Sequence, residues 1–180
     1  MNVRLISGKY GGRIIEGSGT DRTHPMGERI RNALFNKVSG ELGDAVVLDA
    51  FAGSGALGLE ALSRGANKVV FVEKDRIAQK IIENNIRTLN IGEEATLVRA
   101  SVSAWAKTTA DRFDVIFADP PYHNPQLSTV SELIALLKPN GLMVLSYPGR
   151  GEMLTETGVV VVDNRSYGNA ALAFYRKKDV

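Results

Sequence analysis

The chain has 180 residues, 44% of them hydrophobic, with 22 basic and 20 acidic side chains and a formal net charge of +2, which suits one well-buried core. The absence of cysteine excludes disulfides, thiolate metal sites and thiol nucleophiles, and two histidines are too few for a histidine-rich metal centre, so we predict no metal. We find no signal peptide and no apolar stretch of membrane-helix length, and therefore predict a cytoplasmic chain without membrane contact.

The first 40 residues differ in texture from the rest. Val3–Ile6 and Arg13–Ile15 flank a glycine-containing turn, which predicts a short β-hairpin. After Pro25, apolar residues recur every four positions and predict an amphipathic helix that carries Arg29 and Arg31. The glycines of the turn are Gly8, Gly11 and Gly12, and the apolar positions of the helix are Ile30, Leu34 and Val38.

Charge is unevenly distributed along the chain. Residues 1–40 contain seven basic and three acidic side chains, whereas the remainder is mildly acidic. A positive segment beside an acidic body suits the docking of a polyanion. We therefore divide the chain into an N-terminal basic appendage at 1–40 and a main domain at 41–180.

From residue 45 onward, β-branched runs alternate with helical patterns, which predicts an α/β fold built on a parallel sheet with crossover helices. The last two runs lack a crossover helix between them, so we expect an antiparallel hairpin at one edge of the sheet. The runs are Ala45–Leu48, Val69–Val72, Thr96–Val98, Val115–Phe117, Leu142–Leu145, Val159–Val162 and Leu172–Tyr175. Two apolar stripes at helical spacing, Ile77 to Ile86 and Leu127 to Leu137, predict core-facing helices, the second ended by Pro139 and Gly141.

The first strand of this sheet runs into a glycine loop, Asp49 to Gly58, that contains Gly-x-Gly-x-x-Gly. Such a loop lets a ligand approach the backbone closely, so a nicotinamide or flavin dinucleotide is one candidate. S-adenosylmethionine is favoured, because Asp49 ends the strand four residues before the first glycine and can accept bonds from a cationic amino-acid cofactor. Glu73 ends the second strand, where its carboxylate fits two ribose hydroxyls, and Ser101 follows the third, where its hydroxyl fits an adenine amino group. The predicted cofactor-binding residues are Asp49, Ala50, Phe51, Gly53, Ser54, Gly55, Glu73, Lys74, Ser101 and Asp119.

The fourth strand ends in the tetrapeptide Asp119-Pro120-Pro121-Tyr122, the strongest signal in the sequence. The prolines fix the backbone and remove two N–H donors, which leaves the Asp119 carboxylate and the Pro120 carbonyl as acceptors. Such acceptors suit an exocyclic amino group of a nucleobase, whose delocalised lone pair is a poor nucleophile until the nitrogen is oriented. Tyr122 would stack on the extruded base. These four residues are the predicted catalytic residues.

In combination these motifs resemble the RsmD-type 16S ribosomal RNA guanine-N2 methyltransferases. The similarity covers the hairpin, the helix sequence Arg29-Ile-Arg31-Asn-Ala-Leu-Phe35-Asn36, the glycine loop, the tetrapeptide and the closing Tyr167-Gly168 hairpin. It implies a Rossmann-like class I S-adenosylmethionine-dependent methyltransferase fold with a seven-stranded, mostly parallel sheet, and 16S rRNA or a 30S assembly particle as partner. The implied RNA-binding residues are Arg4, Lys9, Arg13, His24, Arg29 and Arg31. His24 and Met26-Gly27 depart from the family pattern of arginine followed by small hydroxyl residues.

Three other functions remain open on the residues alone. The tetrapeptide could present the same two acceptors to the N6 amino group of adenine in RNA or DNA, or to a protein glutamine amide. The chain could also be a non-catalytic RNA-binding assembly factor that keeps a methyltransferase fold. A monomer is the expected state in each case.

Overall fold

A computed structural model describes residues 1–18, 26–149 and 154–178. The elements in chain order are β1 (Asn2–Arg4), β2 (Ile14–Glu16), α1 (Glu28–Val38), a single 3-10 turn (Ser39–Glu41), β3 (Val46–Ala50), α2 (Ala56–Ser63), β4 (Lys68–Glu73), α3 (Arg76–Leu89), β5 (Ala95–Arg99), α4 (Val102–Ala106), β6 (Phe113–Ala118), α5 (Leu127–Ile134), β7 (Leu137–Pro148), β8 (Val159–Tyr167) and β9 (Ala170–Lys177).

Seven strands form one sheet in the order β5-β4-β3-β6-β7-β9-β8, and β1 and β2 form a separate antiparallel hairpin. The pairs from β5 to β7 are parallel, whereas β7–β9 and β9–β8 are antiparallel. The predicted α/β class, the parallel sheet and the closing antiparallel hairpin are thereby confirmed. The hairpin is inserted so that β8, and not the last strand, forms the sheet edge.

The sheet is covered on both faces. Side chains that alternate along β3 and β6 belong to two separate apolar clusters, as their period of two requires. Val47 and Phe117 pack with apolar residues of α1, α2 and α3, whereas Leu48 and Ile116 pack with residues of α4 and α5. A strand buried on both faces explains the continuous apolar runs in the sequence.

One helix prediction was wrong at its end. The apolar stripe predicted helix through Leu137, but α5 ends at Ile134 and Leu137 opens β7. Leu137 pairs with Phe113 on β6, and the register then jumps to Val115–Leu142. Asn140 within this irregularity has a φ of 65°. Pairing with β6 therefore decided the conformation of a stretch whose apolar character fits either element.

The N-terminal segment shares its core with the sheet. Leu5 of the hairpin and Phe35 of α1 are fully buried in the cluster that contains Val47 and Phe117. The rings of Phe35 and Phe117 lie 5.3 Å apart between centroids. The boundary that we placed near residue 40 therefore crosses a continuous core.

A buried carboxylate fixes the hairpin to α2. Glu60 is fully buried, and its two oxygens accept the backbone N–H groups of Ile6 at 2.7 Å and Ser7 at 3.1 Å. Arg64 Nε donates to Glu60 Oε2 at 2.9 Å and supplies the compensating charge. One turn further on, the Ser63 hydroxyl accepts from the Tyr10 N–H and donates to the Ser7 carbonyl. These hydrogen bonds attach the hairpin to α2. They replace bonds that the same polar groups would otherwise make to water.

Within the described ranges, none of the helices combines the length and apolar character that crossing a bilayer requires.

We expect Glu60→Ala to lower the free energy of unfolding by about 3–5 kcal/mol, because it leaves a partly buried arginine and two backbone donors without their acceptor. Urea denaturation monitored by circular dichroism measures this loss. Glu83→Ala is the matched control, since Glu83 pairs with Arg99 at the surface and its removal should cost about 0–1 kcal/mol. Equal losses in the two variants would show that Glu60 does not hold the hairpin.

Candidate active site

The carboxyl ends of β3, β4 and β6 open onto one cleft with a volume of about 1310 Å³. The glycine loop and the tetrapeptide, which are 61 or more residues apart in sequence, face each other across it. Two of the ten predicted cofactor-binding residues do not line the cleft: Ala50 is buried and Gly55 caps α2. The predicted cofactor-binding residues that line the cleft are Asp49, Phe51, Gly53, Ser54, Glu73, Lys74, Ser101 and Asp119.

The glycines of the loop have distinct structural roles. Gly53 and Gly55 have φ values of 59° and 83°, which residues with a side chain rarely adopt. In the described part of the chain, no atom lies within 4 Å of a Cβ built on Gly53. A Cβ on Gly58 would instead meet the Phe71 ring and lie 2.7 Å from Val69 Cγ1. Gly53 therefore leaves room for a ligand, and Gly58 lets α2 pack on β4.

Asp49 is buried at the floor of the cleft, where its Oδ2 accepts the Gly58 N–H at 2.9 Å. Burial raises the pKa of its carboxyl well above the usual range, the Gly58 bond opposes this shift, and the charges of Asp119 and Glu73 raise the pKa further. The charges of Asp119 and Glu73 therefore disfavour ionisation of the Asp49 carboxyl. A cation bound in the cleft would relieve that repulsion.

Glu73 connects the glycine loop to β4. Its Oε1 accepts the Gly53 N–H at 2.8 Å and its Oε2 accepts the Asp75 N–H at 2.9 Å. An ionised carboxylate has about four lone-pair sites, so each oxygen keeps the capacity to accept a further bond. Glu73 thus orients the loop and can still receive hydroxyl donors.

Ser101 lies where the third predicted strand ends. Its hydroxyl accepts the Ala104 N–H at 3.2 Å and caps α4, a helix that the sequence reading did not include. Val102 lines the cleft beside it. The hydroxyl therefore has a structural partner in addition to its place at the cleft.

The tetrapeptide places one carboxylate and one aromatic ring at the cleft. Asp119 is partly buried, and burial raises the pKa of its carboxyl to about 6, against the lowering effect of a hydrogen bond from the Ser146 hydroxyl. Pro120 is buried, Pro121 is partly buried and the Tyr122 side chain is 39% exposed. The Tyr122 hydroxyl lies 2.8 Å from Ser146 Oγ. The tyrosine is thus tethered at its polar end while its ring remains accessible.

Sequence reasoning missed Ser146. The predicted fifth strand ended at Leu145, the residue before Ser146, whereas β7 continues to Pro148. Ala118 pairs with Leu145, so the next residues on the two strands are Asp119 and Ser146. A polar residue at the carboxyl end of the strand beside the tetrapeptide was the available signal.

A second missed residue, Asn85 on α3, is buried and links the glycine loop to the hairpin. Its Nδ2 donates to the Ser54 carbonyl at 3.0 Å and to the Glu16 carbonyl at 2.9 Å. Its Oδ1 accepts the Glu16 N–H at 2.8 Å. Strand β2 is therefore held against the loop through one amide side chain.

Four of the six predicted RNA-binding residues are exposed. We call the exposed Lys9, Arg13 and Arg29 the basic face. Lys9, Arg13 and Arg29 are exposed, and Arg4 is exposed but paired with Glu28 at 2.7 Å. Arg13 also donates to the Thr88 carbonyl at 3.2 Å. His24 lies outside the described residues.

Arg31, which we predicted to bind RNA, is buried and not exposed on the surface. Arg31 is 2% exposed and donates to the Arg4 carbonyl at 2.7 Å, and burial lowers the pKa of its guanidinium. The buried face of α1 is formed by Arg31, Leu34, Phe35 and Val38, so it contains Leu34 and Val38 of the predicted stripe, whereas Ile30 is only partly buried. Arg31 borders the cleft from the side of α1.

Among the described residues, no cluster of three or more His, Asp or Glu side chains is arranged to hold a metal ion.

Comparison with known proteins identifies relatives over nearly the whole chain. The family model described as Conserved hypothetical protein 95 matches residues 3–176. Ribosomal RNA small subunit methyltransferase D of Haemophilus influenzae is 31% identical over 183 residues, covering 97% of this chain and 93% of the relative. The protein of the same name from Escherichia coli K12 is 36% identical over 139 residues, covering 77% of this chain and 68% of the relative. A solved structure from Escherichia coli superposes with a TM-score of 0.90 at 28% identity over 100% of both chains.

We expect the substitutions Gly58→Ala and Gly53→Ala to have different effects. Gly58→Ala should lower stability by about 2–3 kcal/mol, because its Cβ overpacks the contact between α2 and β4. Gly53→Ala should lower stability by about 1 kcal/mol, because Gly53 has a left-handed φ. It should also reduce affinity for the predicted cofactor at least ten-fold, because the added methyl group would occupy the open space that the ligand needs.

Urea denaturation and isothermal titration calorimetry measure the two quantities. A Gly53→Ala chain that binds S-adenosylmethionine like the unmodified chain would contradict the assignment of the loop.

Proposed function

The chain belongs to the family described as Conserved hypothetical protein 95, the RsmD family, and from this premise we propose that it is an S-adenosylmethionine-dependent methyltransferase of ribosomal RNA. The observation that carries the proposal is the position of two motifs in one cleft, the glycine loop beside Glu73 and the tetrapeptide Asp119–Tyr122. The first supplies a cofactor site and the second supplies acceptors for an amino group. The curated relatives named above carry this activity in their names.

The cleft fits the proposed cofactor in charge and in polarity. The carboxylates of Glu73 and Asp119 suit a sulfonium cation, whose charge would in turn favour ionisation of the buried Asp49, and Phe51 and Val102 add an apolar surface that suits a purine. When bound, S-adenosylmethionine supplies an electrophilic methyl group. In this assignment Glu73 accepts ribose hydroxyls with its remaining lone pairs, and Ser101 borders the adenine.

The residues of the tetrapeptide would prepare the acceptor amine. The Asp119 carboxylate and the Pro120 carbonyl each accept one N–H, so the nitrogen lone pair is turned toward the methyl group. The cofactor would supply the methyl group and leave as a neutral thioether, and the methylated amine would then lose one proton. Asp119 is placed to accept that proton and to release it to solvent. The ring of Tyr122 offers a stacking surface to the extruded base.

We assign the substrate as a guanine N2 amino group in 16S rRNA, presented either on naked RNA or on a 30S assembly particle. The family resemblance supports guanine, whereas the two acceptors would serve the N6 amino group of adenine equally well. The assignment further implies a cytoplasmic protein, acting as a monomer without a metal. The exposed Lys9, Arg13 and Arg29 would contact phosphates.

Nucleoside analysis tests the proposal directly. The chain is incubated with S-adenosylmethionine carrying a labelled methyl group and with 30S particles, or their naked 16S rRNA, that lack the modification. Labelled N2-methylguanosine is the expected product. N6-methyladenosine would overturn the base assignment, and the absence of transfer to either substrate would favour a non-catalytic RNA-binding factor.

We expect Asp119→Ala to reduce methyl transfer at least 1000-fold while S-adenosylmethionine affinity stays within about five-fold, because Asp119 acts on the acceptor nitrogen. Single-turnover transfer and calorimetry measure these separately. Glu73→Ala is the matched control and should mainly weaken cofactor binding. Parallel loss of affinity and transfer in Asp119→Ala would refute this division of roles.

We expect the double variant Lys9→Ala/Arg29→Ala to weaken RNA binding and to lower the slope of log affinity against log salt by about two, since each cation releases roughly one counterion. Filter binding across a salt series measures the slope. The control is Lys68→Ala, which removes an exposed cation at the end of β4 opposite to the cleft. An unchanged slope in the double variant would reject the basic face as the RNA contact.

A further inference from the structure

One buried hydroxyl group beside the tetrapeptide has no role in the function proposed above. Ser146 lies on β7 and is 3% exposed. Its Oγ is 2.8 Å from the Tyr122 hydroxyl, and it also hydrogen-bonds the Asp119 carboxylate. The parallel pairing of Ala118 with Leu145 brings Ser146 beside Asp119. A single side chain therefore touches both the acceptor carboxylate and the stacking ring.

The chemistry of the three groups fixes the direction of the bonds. An ionised carboxylate can accept but not donate, so the Ser146 O–H donates to Asp119. The serine has one proton, and its oxygen must then accept from the Tyr122 O–H. The result is a directed chain from the phenol through the serine to the carboxylate.

We propose that Ser146 is a positioning residue of the methyl-transfer site, whose hydroxyl fixes the orientation of the Asp119 carboxylate and the plane of the Tyr122 ring together. This inference rests on the function proposed above. The tethered phenol holds the ring at the cleft mouth, and the donated hydrogen bond holds the carboxylate in its acceptor form.

The protonation state of Asp119 links this geometry to an observable. A protonated Asp119 would present an O–H where the amine needs an acceptor, so transfer should fall as the pH drops through about 6, the pKa to which burial raises this carboxyl. The Ser146 hydrogen bond lowers the same pKa. Removal of the hydroxyl should therefore move the acid limb of the pH profile to higher pH.

Ser146→Ala is the central test. We expect its single-turnover rate at neutral pH to fall about ten-fold, as befits one charge-assisted hydrogen bond, and its acid limb to shift upward, with S-adenosylmethionine affinity within two-fold. Ser63→Ala is the matched control, because it also removes a buried hydroxyl but one that bonds the hairpin backbone. Its acid limb should stay where it is in the unmodified chain.

Two further variants separate positioning from packing. Ser146→Thr keeps the hydroxyl and should restore the acid limb even if the added methyl group slows transfer. Tyr122→Phe keeps the ring and removes the phenol, and the double variant Ser146→Ala/Tyr122→Phe should be no slower than Ser146→Ala, because the phenol then has no serine to bond. Additive losses in this cycle would overturn the proposed chain of bonds.

The outcomes distinguish this inference from the proposed function. An unmodified chain that transfers no methyl group to RNA would refute the function. An unmodified chain that transfers, together with a Ser146→Ala variant of equal rate and equal acid limb, would refute the role of Ser146 alone. If Ser146→Ala fails to fold, Ser146→Thr and Tyr122→Phe provide the test. In that case, a Ser146→Thr variant whose acid limb is shifted to higher pH would overturn the proposal.

Discussion

The site depends on the parallel pairing of β3 with β6. The register places Ala50 beside Ala118, so the loop after one strand and the tetrapeptide after the other begin at the same edge of the sheet. Parallel sheets bind ligands at their carboxyl edge for this reason. Here the same register also concentrates carboxylates, because Asp49 and Asp119 both lie at that edge in poorly solvated positions. The electrostatic preference for a cation is thus a direct consequence of strand order.

The N-terminal segment is coupled to this edge through two buried polar side chains. Glu60 lies on α2, the helix that follows the glycine loop, and accepts two hydrogen bonds from the hairpin backbone. Asn85 connects Glu16 of β2 to Ser54 inside the loop. Buried polar groups of this kind are costly to disrupt, since each would lose its partners without gaining water. A surface that docks RNA on the hairpin would therefore have a fixed position relative to the cofactor loop, as orienting one base in the cleft requires.

Local chemistry explains what the sequence predicted well. The apolar, β-branched runs predicted every strand of the seven-stranded sheet. Gly53 and Asp119–Tyr122 lie in the expected cleft because each motif directly follows a strand, so the position of the strand fixes the position of the motif. Arg31 was misplaced because the buried face of α1 is wider than the predicted stripe: it contains Leu34 and Val38 of that stripe and also Arg31 and Phe35. The conformation of Leu137 and the position of Ser146 beside Asp119 both depend on the register between β6 and β7. That pairing is long-range, so no local sequence pattern encodes it.

The cleft carboxylates favour the charge state of the reactants over that of the products. In the proposed function, Glu73 and Asp119 would attract the sulfonium cation, whereas the thioether that remains after methyl transfer is neutral and would gain nothing from their charge. The proton released from the amine reaches a site where burial has already raised the pKa of Asp119 to about 6, so the carboxyl can hold it briefly and lose it to water at neutral pH. The charge of these carboxylates would therefore act twice, by favouring cofactor binding before transfer and by giving the neutral product no electrostatic attraction afterward. Ser146 limits the rise in the pKa of Asp119, because its hydrogen bond favours the ionised carboxylate. Asp119 can therefore act as an acceptor again in the next turnover.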